Sequence, residues 1–244
     1  MGTRAFGRMS WVVLVVAFML ACGGVAWADS VTVPATADIW LAGQPNGASV
    51  TGYFGIDMAP ANSPVAVGVA GGNILTFLNV TVSAGGVSVD GSCFDATADA
   101  GVCYPDEYGF SPGPANGISL AHLPAGALVG VFVPAGGPSG PTPAALDFTS
   151  SGIGTSFLTL SPALDQLFFI GDGLTGTGTG SVQQFIAPTG AATLYLAVSD
   201  SVGGSGNNLG SITADVTVPE PGSLLLLGVG LVGLAGTARR RMRK

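Results

Sequence analysis

Ser211-Ile212-Thr213-Ala214-Asp215-Val216-Thr217-Val218 alternates an apolar row, Ile212, Ala214, Val216 and Val218, with a polar one. That period-two pattern is the mark of a strand with one face on a core. Thr193–Val198 repeats it, with Leu194, Leu196 and Val198 on one face. So does the stretch that sets Leu78, Val80 and Val82 against Asn79, Thr81 and Ser83. Shorter apolar runs occur at Leu128–Val133, Leu167–Ile170 and Phe185–Ala187. No stretch between them keeps a helical period, because glycine and proline interrupt too often. The chain has 40 Gly and 16 Pro in 244 residues, yet 48% of it is hydrophobic. That combination describes a loop-rich globular body rather than a disordered one. The expectation is all-β: a jelly-roll-like β-sandwich. Two long connections are expected, Gly85–Gly126 and Ala135–Ser151, with no internal repeat.

The two ends read differently from the body. Arg4 and Arg8 precede the apolar run Trp11–Ala21, and Ala26-Trp27-Ala28 supplies the small-x-small pattern of signal-peptidase cleavage. Eleven apolar residues are too few to span a bilayer. Residues 1–28 are therefore expected to be a signal peptide, the mature chain starting at Asp29. A competing reading takes Met19-Leu20-Ala21-Cys22 as a lipoprotein box with Cys22 lipidated. At the other end Pro219-Glu220-Pro221 is followed by an uncharged segment, 222–238, and then by Arg239-Arg240-Arg241-Met242-Arg243-Lys244. The uncharged segment is at the lower limit for a membrane-spanning helix, and a terminal Arg cluster stays cytoplasmic. An ordinary membrane anchor satisfies the same physics.

Charge partitions with these segments. No Lys or Arg lies between Met9 and Ala238, while all fourteen acids lie from Asp29 to Glu220. The exported part thus carries a formal −14, against −7 for the whole chain. Nucleic-acid binding depends on cationic side chains that neutralise phosphate, and is excluded. Adsorption to anionic lipid heads is excluded for the same reason. An acidic body without internal cations suits a divalent metal.

Cys93 and Cys103 are the two cysteines beyond the leader. In an oxidising compartment they are expected to form one disulfide closing a surface loop; a bare metal pair is the alternative. Gly171-Asp172-Gly173-Leu174-Thr175-Gly176 matches a nucleotide-loop pattern, but Thr177-Gly178-Thr179-Gly180 follows where a helix would have to start. A hairpin is expected instead. Catalysis has little to draw on. His122 is the single histidine, Glu107 the only Glu before the tail, and there is no G-x-S-x-G elbow. A pair of Asp acting as a glycosidase stays open, since carboxylate separation is set by the fold. The expectation is no enzyme. The loop Asp200–Gly210 offers a carboxylate, two side-chain amides and glycine carbonyls, the hard oxygen ligands that Ca²⁺ takes. A polar turn is the plain alternative.

Two resemblances add to this. The order Pro-Glu-Pro, short glycine-containing apolar segment and terminal Arg cluster resembles the PEP-CTERM sorting tail of bacterial surface proteins. The resemblance implies an exosortase cutting near Glu220, after signal peptidase has acted at the front. The chain would be held in the inner membrane until cut, then released to the cell surface or extracellular matrix. It divides the sequence into 1–28, 29–218 and 219–244. Within the body, Phe169-Ile170-Gly171, Phe185-Ile186-Ala187-Pro188, Ala192–Leu196, Asp200 and Asn207-Asn208-Leu209-Gly210-Ser211 are similar to the C-terminal half of the PA-I-type galactose-binding calcium lectins. That similarity implies a Ca²⁺ held by Asp200, Asn207 and Asn208, by the Gly204 carbonyl where the family has Thr, and by a carbonyl near Gly85. It also implies that Tyr104, Asp106 and Glu107 replace the family's sugar-contacting residues. The function implied is calcium-dependent binding of exopolysaccharide or another glycan. The alternative is a structural matrix protein with no sugar binding.

Overall fold

The computed structural model describes residues 27–52, 55–105 and 114–218. Residues 1–26 of the expected leader, the tail from Pro219 (with Glu220 and Pro221), Asp106 and Glu107 lie outside that range, whereas Trp27 and Ala28, the leader's last two residues, fall inside it. So does the expected membrane segment 222–238. Among the described residues no helix is long and apolar enough to cross a membrane.

Among the described residues fifteen strands run in chain order. They are β1 (Trp27–Pro34), β2 (Ser49–Thr51), β3 (Ile56–Met58), β4 (Val65–Gly68), β5 (Ile74–Val82), β6 (Ala121–His122), β7 (Leu128–Pro134) and β8 (Leu146–Asp147). Then follow β9 (Thr159–Leu160), β10 (Leu167–Phe169), β11 (Leu174–Gly176), β12 (Thr179–Val182), β13 (Gln184–Ile186), β14 (Ala191–Val198) and β15 (Ser211–Val218). Two sheets carry the architecture, in the orders β1-β15-β5-β13-β9 and β10-β7-β14-β4. The expected all-β sandwich is present. With β9 set aside, a short parallel addition beside β13, the remaining eight strands have the double-sheet order of a jelly roll. Ala28–Val218 forms one compact unit.

The alternating rows behave as their period requires. Ile212, Ala214 and Val216 are fully buried on β15, and Leu194, Leu196 and Val198 on β14. Phe168 of β10 stacks on Phe185 of β13, and Phe185 meets Phe77 of β5 edge-on. The two sheets share these rings, and aromatic pairs add to their area burial.

The row on β5 needs one correction. Leu75 and Phe77 face the core, whereas Leu78 is exposed. The register with β15 slips between Thr213 and Asp215, opposite Leu78, and Asn79 takes a left-handed φ of 49°. This bulge inserts one residue and moves the inward row to Val80 and Val82. Asn79's side chain is anchored there by a 2.8 Å bond to Asp215 Oδ2.

β7 is buried along nearly its whole length. Its outer face is covered by the 3-10 turn Ile39–Leu41, which packs on β7 and β14. A strand covered on both faces loses its alternation, which is why Leu128–Val133 reads as a continuous apolar run. Gly171–Gly176 begins the β11–β12 hairpin, in which Asp172 accepts from Leu174 N and Gly178 N. Cys93 and Cys103 are joined in a disulfide.

Candidate functional site

The β14–β15 loop closes one end of the sandwich. Its second residue, Asp200, accepts from the amide of Ser201 at 2.6 Å and from the Ser201 hydroxyl at 3.3 Å. Gly204 packs beside it. A Cβ built on Gly204 would stand 3.1 Å from Asp200 Oδ2 and 2.5 Å from Ser201 Oγ. There is no room for the side chain that the lectin family carries at this place. Asp200 and Gly204 are therefore brought together.

The two asparagines part company. Asn207 is exposed, whereas Asn208 is buried, with its Nδ2 donating to the Ala35 carbonyl at 3.1 Å and its Oδ1 without a partner. Adjacent residues leaving a tight 3-10 turn (Ser205–Asn207) for an extended Asn208 project to different sides. Gly85 sits in the turn closed by the Gly86 N–Ser83 O bond. The carbonyl that meets the loop is that of Gly86: a Cβ on Gly210 would lie 2.3 Å from it.

Tyr104 directly follows the disulfide-closed loop. Its hydroxyl makes a short hydrogen bond to Asp90 Oδ2. Bonds from Ser92, Tyr104 and the Ser92 and Cys93 amides hold the Asp90 carboxyl well below the usual carboxylate range. Asp106 and Glu107 follow it but lie outside the described residues.

Asp200 and Ser201 line a shallow groove whose walls are Trp40, Leu120, Leu123 and Leu167. The indole N–H of Trp40 is buried without a partner. An apolar wall with a few polar groups is the usual make-up of a small-ligand site. Among the described residues, no three His, Cys, Asp or Glu side chains are grouped as a metal site.

Under the same loop lies a pair that the sequence reading passed over. Asp38 is fully buried and accepts from Trp40 N at 2.9 Å. Asp57 is also buried and accepts from Ser205 N at 2.8 Å. The two carboxyls lie within hydrogen-bonding reach of each other. Burial, then the Asp57 carboxyl beside it, push Asp38 up to about 8 against the pull of the Trp40 amide. One signal was available in the sequence. Ile56-Asp57-Met58 is a strand worn inside out, with Ile56 and Met58 exposed and Asp57 inward.

No curated protein and no solved structure matches the chain, so the lectin similarity rests on the quoted residues alone. Residues 217–241 match the PEP-CTERM protein-sorting motif, which implies an exported chain, anchored in the membrane before processing and processed by an exosortase.

Proposed function

We propose that the exported β-sandwich is a calcium-dependent carbohydrate-binding module, displayed at the surface or held in the organism's exopolysaccharide. The observation that carries this reading is the groove that Asp200, Ser201 and Trp40 line together with apolar walls. A sugar presents the matching chemistry: hydroxyls for a carboxylate and a serine, and C–H faces for apolar side chains. Calcium enters through the oxygen-rich loop that borders the groove, Asp200 supplying its carboxylate beside Gly204, with Asn207, Asn208 and the Gly85 turn close in sequence or pairing. Recognition rather than turnover is the activity proposed, since the groove's lining among the described residues holds one carboxylate, Asp200, and no histidine.

A glycan array with the mature protein, run with calcium and with EDTA, tests this. Binding to a defined glycan that EDTA abolishes, and that Asp200→Asn abolishes as well, supports the module. No binding to any glycan in either condition would leave the structural matrix protein as the reading.

A further inference from the structure

We propose that Asp38, Asp57 and the Ser205 hydroxyl form a buried divalent-cation site beneath the β14–β15 loop, with Ca²⁺ as its ion. The inference does not depend on sugar binding, and its ligands are not those of the groove.

The argument starts from charge. Two neighbouring carboxyls, both removed from water, are strongly unfavourable unless something neutralises them. In most proteins a Lys or Arg does so. Here the chain has neither between Met9 and Ala238. The remaining neutralisers are a shared proton and a metal ion.

Geometry favours the ion. Asp38 Oδ2 and Ser205 Oγ are each buried in residues at most 1% exposed, and neither has a hydrogen-bond partner. A proton shared between two carboxyls would account for Asp38 Oδ2 but would leave the serine oxygen idle. An ion accepts both. The three residues are also held in place by backbone from separate segments. Ser205 N is bonded to Asp57, Trp40 N to Asp38, and Asp38 N to Asn62 O at 2.8 Å. Gly206 completes the cradle: a Cβ there would stand 2.7 Å from Asp57 Oδ1. Finally, β3 exposes Ile56 and Met58 to turn Asp57 inward, an arrangement that runs against the hydrophobic effect. Carboxylates and a hydroxyl are hard oxygen ligands, and Ca²⁺ accepts six to eight of them in flexible geometry, backbone carbonyls and water included.

Terbium, which replaces calcium and luminesces when excited through a nearby tryptophan, is the probe. The chain has three Trp, at 11, 27 and 40, so cleavage after Ala28 leaves Trp40 alone, with its amide on Asp38. The mature protein should show Trp-sensitised terbium emission that calcium displaces, and calcium should raise its melting temperature. Asp200→Asn should keep both responses, whatever it does to glycan binding. In that Asp200→Asn background, where no groove calcium is left, Asp57→Asn should lose them, by more than the roughly 10–100-fold that outer-shell changes cost in metal affinity. Ser205→Ala, which leaves the carboxyl pair intact, should weaken calcium within that range and serves if Asp57→Asn does not fold. Absence of any calcium response in the wild type overturns the site, as does a Ser205→Ala or Asp57→Asn protein that, in the same background, responds as Asp200→Asn alone does. Loss of the response in Asp200→Asn alone would move the ion to the groove.

Discussion

Phe168 on β10 and Phe185 on β13 stack with ring centroids 5.6 Å apart and planes 30° from parallel, joining the two sheets of the sandwich. Phe185 also makes edge contacts with Phe77 and Phe157, so one ring ties together three strands and the segment leading into β9. Phe185→Ala is expected to cost about 3–5 kcal/mol, the usual range for emptying a buried phenylalanine site. For a domain of this size that lowers the melting temperature by on the order of 10 °C. Thermal unfolding followed by circular dichroism measures it; a loss under about 1 kcal/mol would mean the sheets do not share this core.

Asp165 provides a test in pH. Desolvation raises its carboxyl above the ordinary value of 3.8, with the Ser139 amide at 3.1 Å from Oδ2 pulling weakly the other way. The folded chain then holds this proton more tightly than the unfolded chain. Stability from this group is therefore full below about pH 4 and is lost as pH rises through its raised folded value. Asp165→Asn removes the titration, and Asn tolerates the left-handed φ of 61° found there. The variant should gain on the wild type as pH climbs from 4 to 7. Denaturant unfolding at several pH values checks it; a difference that does not change with pH refutes the assignment.

The Cys93–Cys103 bond closes a loop with a sequence separation of 10. Chain-entropy arithmetic for a loop of this length gives a contribution of about 3 kcal/mol. The oxidised mature protein, unfolded without reductant, should show no free thiol. Replacing both cysteines by serine should lower stability by about that amount while leaving the β-sheet spectrum unchanged, because no core ring lies in the loop. Two titratable thiols would contradict the bond.

At the C-terminus, an exosortase-processed protein should reach the surface without residues 239–244. Intact mass spectrometry of the native surface form reads this directly. A mass that includes the Arg cluster would identify a retained anchor instead, and a PEP-CTERM match over 217–241 would then mark a tail that is not cut.

Some of this was written in local order alone. A sorting tail is recognised as a linear sequence of residue types, so Pro219-Glu220-Pro221, an uncharged stretch and an Arg cluster suffice to announce it. Strand alternation on β14 and β15 is equally local, since successive side chains must take opposite faces. The lack of cations in the body is a plain property of composition. Tertiary structure decided the rest. The bulge at Leu78–Asn79 arises from pairing with β15, a partner about 135 residues away in the chain, and no local pattern forces it. Asn207 and Asn208 look equivalent as neighbours, yet the turn sends one to solvent and one to Ala35. Asp38 and Asp57 each read as an isolated acid in an apolar setting. They become a pair because the covering segment over β7, the β2–β3 hairpin and the β14–β15 loop converge at one end of the sandwich. Only long-range packing brings such segments together, and so only the fold could place two like charges side by side in a body without a single Lys or Arg.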